Sequence, residues 1–133
     1  MIVADASILI GLSTIGQLNL LWERFPGGIL IPPAVWREVV EQGGQRPGAR
    51  AVAEADGITV HDVTALEIVQ LLKTELEAGE TEAIALAHQV DADTVLLDER
   101  DARRAARQLN LSVLGTVGIL IWARRTGRIT SLR

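Results

Sequence analysis

The chain has 133 residues, 48% of them hydrophobic, and a formal net charge of −4. That length supports one sizeable core and a single domain over residues 1–133. With no cysteine, disulfides and thiolate metal sites are excluded, so any metal site must use oxygen or the two histidines. No apolar run approaches the ~20 residues that span a bilayer. No basic leader precedes the apolar N-terminal stretch, so the expectation is a cytoplasmic protein with no membrane partner.

The net charge conceals an asymmetry. Residues 1–101 hold all 17 acidic residues and six of the 13 basic ones, a net of −11. Residues 102–133 hold seven arginines and no acid, a net of +7. A cationic last quarter on an acidic body keeps nucleic acid among the candidate partners, beside the plainer reading of arginines solvated on helix faces.

The opening "MIVADASILI" is strand-like and carries Asp5 in its middle. An unpaired buried charge costs several kcal/mol, so Asp5 must be paired, hydrated, metal-bound or at the strand's end. "IVAD" reads as the first strand, and "TIGQLNLLWERF" as a helix with Ile15, Leu18, Leu21 and Trp22 on one face. "GILIPP" is a second strand stopped by Pro32 and Pro33, which also suit the first turn of the helix "AVWREVVEQG". After the loop "GGQRPG" come a short helix, "ARAVAEADG", and a third strand, "ITVHDV". "ALEIVQLLKTEL" and "GETEAIALAHQV" read as two helices separated at Gly79. "TVLLD" is a fourth strand, "ERDARRAARQLN" a helix, "SVLG" a fifth strand and "TVGILIWARRTG" the last helix. Alternating strands and helices predict βαβ crossovers and a parallel sheet covered on both faces. No repeat, low-complexity segment or linker interrupts the pattern.

Open parallel sheets gather functional groups beyond the carboxyl ends of their strands. Asp5 and Asp98 each close a strand, Glu38 lies on the helix after strand two, and Glu80 and Glu82 open the helix leading to strand four. Each has a plainer role open to it: a cap or turn for the aspartates, solvation for Glu38, a first-turn acid for Glu80. If the four elements meet at one rim, the carboxylates repel unless a cation sits among them, and hard oxygen ligands favour Mg2+ or Mn2+. Such a site can activate water and brace an in-line phosphodiester displacement.

The segments "VADASILIGLSTIGQLNLL", "ILIPPAVWREV", "GETEAIALA", "VLLDERDARRAA" and "VLGTVGIL" together resemble the PIN-domain superfamily. The resemblance covers nearly the whole chain and points to the small prokaryotic PIN-like (DUF3368-type) group related to the toxin nucleases of toxin–antitoxin pairs. It implies a three-layer α/β/α fold with a five-stranded, mainly parallel sheet in the order 3-2-1-4-5. It also implies a quartet of acids around Mg2+ or Mn2+ that cleaves RNA. Residue by residue, the quartet matches Asp5, Glu38, Glu80 and Asp98, as both metal ligands and catalytic groups. Glu82 stands as an alternative third ligand, Asp101 as an accessory acid, and Ser7 as the small hydroxyl residue that orients the first acid. Two departures from the family pattern are Glu at position 80, where Asp is usual, and the end of the chain soon after "TGRITSLR", where relatives continue.

The leading function is therefore a Mg2+/Mn2+-dependent endoribonuclease, with the toxin of a toxin–antitoxin pair as one form of it and an antitoxin protein as partner. Arg100, Arg103, Arg104 and Arg107 are the candidate RNA-binding residues, with "WARRTGR" as a second cationic segment. Few aromatics are available for base stacking, which favours backbone recognition. The alternative is a catalytically idle PIN-like binding module engaging a protein. A phosphate-handling enzyme of another family is a weaker third, since no Gly-rich phosphate loop is present. His61 and His88 read as structural, and Trp36 as a core anchor. Ile119, Leu120, Ile121 and Trp122 offer more apolar surface than one helix face needs, which suits a homodimer.

Overall fold

The computed structural model of the protein describes residues 1–129; Thr130–Arg133 lie outside the described residues, as does the side chain of Pro47. The end of "TGRITSLR", with the expectation attached to it, therefore falls outside them too. Five short strands form one sheet: β1 (Ile2–Ala4), β2 (Ile29–Ile31), β3 (Ile58–Val60), β4 (Thr94–Leu96) and β5 (Val113–Leu114). Their order is 3-2-1-4-5 and every neighbouring pair is parallel, as expected. β1 is central, with Val3 opposite Leu30 of β2 and Ala4 opposite Leu96 of β4. The chain builds outward from β1 in one direction and then restarts at β4 in the other. The β1–β4 boundary is thus the topological switch point, whose carboxyl end opens a crevice.

The described residues form eight α-helices: α1 (Ala6–Thr14), α2 (Leu20–Arg24), α3 (Pro33–Trp36), α4 (Pro47–Glu54), α5 (Leu66–Leu72), α6 (Ala78–Gln89), α7 (Arg100–Gln108) and α8 (Thr116–Arg125). A π-helical stretch, Arg37–Glu41, continues α3. Side chains alternate across the sheet. Ala4, Ile29, Ile31 and Leu96 pack with α1, α2, α4 and α8 on one face, and Val3, Val95 and Leu97 with α5, α6 and α7 on the other. Fully buried Ile8, Leu9, Leu12, Ile84 and Leu86 carry much of this, each worth roughly 1.5–3 kcal/mol. Among the described residues no helix is long and apolar enough to cross a membrane.

The elements differ from the sequence reading in three places. The strand-like run after Asp5 is helix α1, and the chain turns before α2 instead of continuing one helix through "TIGQLNLLWERF". α1 is buried on nearly every side, so its apolar residues lack the one-sided period that marks a helix. The break between the next helix pair lies at 73–77, and Gly79 sits inside the first turn of α6.

Candidate functional site

β1 ends and α1 begins at Asp5, whose carboxylate sits at the floor of the switch-point crevice with the residue only 4% exposed. The Ser7 hydroxyl donates to its Oδ2 at 3.0 Å. The N–H groups of Ala6 and Ser7 lie near enough to favour its charged form, though neither makes a well-formed cap bond. Burial outweighs these contacts and, with the nearby Asp98 adding repulsion, raises the Asp5 carboxyl above its usual range.

Glu38 reaches the same crevice from the π-helical stretch, a conformation that widens the turn and recurs at functional sites. Burial, then the charges of Asp5 and Glu77, raise its carboxyl as well. Gly79 explains how the two acids share one space: a Cβ there would meet Asp5 Oδ1 at 3.3 Å and Glu38 Oε2 at 3.4 Å. The missing side chain leaves a gap between two carboxylates. Glu80, the next residue of α6, accepts the Glu77 N–H at 3.3 Å. Its carboxyl is raised by burial and by Asp5, Glu99 and Glu77, with the Glu77 bond opposing.

Asp98 follows β4 and stands at the exposed rim. Both its oxygens are engaged: Thr116 donates its N–H to Oδ1 and its hydroxyl to Oδ2, each at 2.7 Å. Asp98 thereby caps α8 from a distance. All four acids line one cavity of about 800 Å3, together with Glu75, Glu77, Glu99 and Asp101. Among the described residues no basic side chain lines it.

The family model for the PIN domain (DUF3368) matches residues 1–133. The chain belongs to the PIN-domain family. Among solved structures, it is similar to a PilT N-terminus domain protein, SSO1118, from the hyperthermophilic archaeon Sulfolobus solfataricus P2. That match has a TM-score of 0.62 at 16% identity and covers 92% of each chain. It is also similar to VapC20 (Rv2549c) of Mycobacterium tuberculosis, a sarcin–ricin loop cleaving toxin. There the TM-score is 0.57 at 18% identity, covering 79% of this chain and 95% of the other. No curated protein matches it by sequence. The three-layer fold expected of a PIN domain is the fold observed.

A PIN-type cation is tested by the donor set. Among the described residues no three Asp, Glu or His side chains stand close enough to form a ready-made ion site. The carboxylates ring the cavity instead of meeting at a point. A Mg2+ ion does not need them to meet, since it keeps several waters and takes only one or two carboxylates directly. The all-oxygen donors, the Gly79 gap and three raised carboxyls fit such a group.

The remaining sequence candidates divide. Glu82 faces away from the cavity: it accepts the Ala34 N–H at 3.0 Å and approaches Arg37 at 3.9 Å, so it caps α3. Two residues apart on α6, Glu80 and Glu82 point to nearly opposite faces of the helix. Asp101 lines the cavity but is bonded to Arg104 at 2.8 Å. Arg103 is half-buried beside Asp98, while Arg100 and Arg107 are exposed. In the second cationic segment, Arg128 is tied to Glu23 at 3.1 Å and stacked over Trp122. Of the supposed dimer surface, Ile119 is fully buried and Ile121 exposed, next to the exposed Val117 one turn away. Sequence reasoning missed Glu77, Glu99 and Thr116. Glu99 stood in plain view after Asp98, whereas nothing in "GTVGIL" marked Thr116 as a partner of Asp98.

Proposed function

We propose that this PIN-domain protein is a divalent-cation-dependent endoribonuclease acting in the cytoplasm. Its activity is that of a toxin held in check by an antitoxin protein. The observation that carries the reading is the convergence of Asp5, Glu38, Glu80 and Asp98 on one acid-lined cavity at the switch point, with Gly79 leaving a gap between the first two. VapC20, described as a sarcin–ricin loop cleaving toxin, supports the choice of RNA and of the toxin role. Mg2+ or Mn2+ bound there would supply an activated water and charge neutralisation at the phosphodiester.

The chain's own residues do the rest. Asp5 and Glu38 would hold a cation: burial raises both carboxyls, Asp98 adds repulsion at Asp5 and Asp5 and Glu77 add it at Glu38, and a cation offsets those costs. Glu80 completes the inner side of the cavity and Asp98 the outer. Ser7 fixes the rotamer of Asp5 through its hydroxyl. Arg100, Arg103 and Arg107 hold the phosphate backbone in a salt-dependent manner, since acids ring the cavity itself. Arg104 contributes less while Asp101 binds it. A homodimer through Val117 and Ile121 of α8 belongs to the same proposal.

The second reading, an idle PIN-like module that binds a protein, is favoured by the caps that occupy Glu80 and Asp98 and by the lack of a ready-made ion cluster among the described residues. A structured RNA substrate incubated with Mn2+, with Mg2+ and with EDTA separates the two. The nuclease gives defined fragments with either cation and none with EDTA. An idle module leaves the RNA intact in all three.

A further inference from the structure

Thr116 has no part in the chemistry above, yet among the described residues it alone donates to both oxygens of Asp98. Arg103, half-buried on α7, stands on the other side of that carboxylate. A Cβ placed on Gly115 would lie 2.9 Å from Asp98 Oδ1 and 3.0 Å from Arg103 Nη1, so the two charged groups flank one point across a glycine. Opposite charges this near ordinarily pair. Here no salt bridge joins them, and Arg103 has no carboxylate partner among the described residues.

Thr116 supplies the physical reason. Its N–H and hydroxyl saturate one lone pair on each Asp98 oxygen, at the N-terminus of α8 where the helix dipole also favours a carboxylate. Further lone pairs remain on both oxygens, now held in a fixed direction. We propose that Thr116 is a positioning residue that keeps Asp98 and Arg103 apart, so that the carboxylate stays open to a divalent cation and the guanidinium to a substrate phosphate. This rests on the divalent-cation reading of the cavity. Without the hydroxyl, Asp98 swings to Arg103, and one ion pair removes both a metal ligand and a phosphate-binding cation. Gly115 fits the same arrangement, because any side chain there would press on both groups.

The test is Mn2+ affinity by titration calorimetry on the full chain, for wild type, Thr116→Val, Thr116→Ser, Arg103→Gln and the Thr116→Val/Arg103→Gln pair. Thr116→Val weakens Mn2+ binding by roughly tenfold or more, the range lost when groups that orient a ligand are removed. Thr116→Ser, which keeps the hydroxyl, binds like wild type. Arg103→Gln, which removes a cation beside Asp98, raises affinity modestly alone and by a much larger factor in the Thr116→Val background, a coupling that a purely structural cap would not show. Thr116→Ala removes the same hydroxyl while placing a good helix former at the position, and serves if the valine variant does not fold. An Arg103→Gln effect equal in both backgrounds, or a serine that fails to restore binding, overturns the proposal. Wild type binding Mn2+ with Thr116→Val unaffected sinks the Thr116 role alone. A wild type that binds no Mn2+ sinks the cavity reading and this proposal together.

Discussion

Asp5 and Asp98 both follow a strand at the same rim of the sheet, on neighbouring strands, and they are held in opposite ways. Asp5 is buried, and its surroundings favour the neutral acid in spite of Ser7. Asp98 is exposed and carries two short hydrogen bonds that hold down the start of α8. One carboxylate is kept against its local preference, the other stabilises the fold as a cap. The same local pattern, a strand closed by an acid, therefore does not fix what the acid costs. Removing either should harm cation binding, but their effects on the stability of the cation-free protein should have opposite signs.

The largest effect is expected at Asp5. Asp5→Asn lowers metal-dependent RNA cleavage by more than about 100-fold, beyond the loss typical of groups that merely orient a ligand; gel assays of fragment yield over time check it. Gly79→Ala fills the gap between Asp5 and Glu38, so Mn2+ binding weakens by roughly tenfold in calorimetry. Cation-free stability then changes by less than about 1 kcal/mol, because alanine is the better helix residue. Asp98→Ala sharpens the contrast: loss of the cap on α8 costs about 1–2 kcal/mol by urea denaturation with EDTA present. Glu82→Ala loses the bond to the Ala34 N–H and about 1 kcal/mol. It leaves Mn2+ affinity as in wild type, which separates it from Glu80.

The smallest effect is a pH trend. The carboxyls of Asp5, Glu38 and Glu80 are raised in the folded protein above ordinary values of 3.8 and 4.5. Folding then favours the protonated forms. Their stabilising contribution is fully present below those ordinary values and is lost as pH rises through the raised ones. The Asp5→Asn/Glu38→Gln/Glu80→Gln variant lacks this loss. Its cation-free melting temperature, relative to wild type, should therefore climb as pH rises above those ordinary values and through the raised ones. A flat difference would mean that the three acids are not held against their preference.

The fold was legible because strand and helix signals alternate and the strand-ending acids mark the carboxyl rim. What hid was set by tertiary contact. α1 lost its helical period because apolar residues continue past the face formed by Ile8, Leu9 and Leu12, with Ala6 buried and Ile10 packed against the same core. Glu80 and Glu82 looked interchangeable in "GETEA", and only the placement of α3 against α6 turns Glu82 to the Ala34 N–H. The 98–116 pairing spans two elements, so no local spacing could announce it. Gly79 was visible as a residue but not as a gap, since its use depends on Asp5 and Glu38 arriving from other elements.

The central claim, that Asp5 is held for a cation at the expense of stability, is tested most directly by thermal melts of wild type and Asp5→Asn, first with EDTA and then with Mn2+. At an effective dielectric near 20, repulsion between neighbouring carboxylates costs on the order of a kcal/mol per pair. A neutral isostere relieves part of it. Cation-free Asp5→Asn should melt at or above wild type, and Mn2+ should raise the melting temperature of wild type but not of the variant. A variant that melts below wild type with EDTA, yet keeps the full Mn2+-induced rise, would contradict the claim.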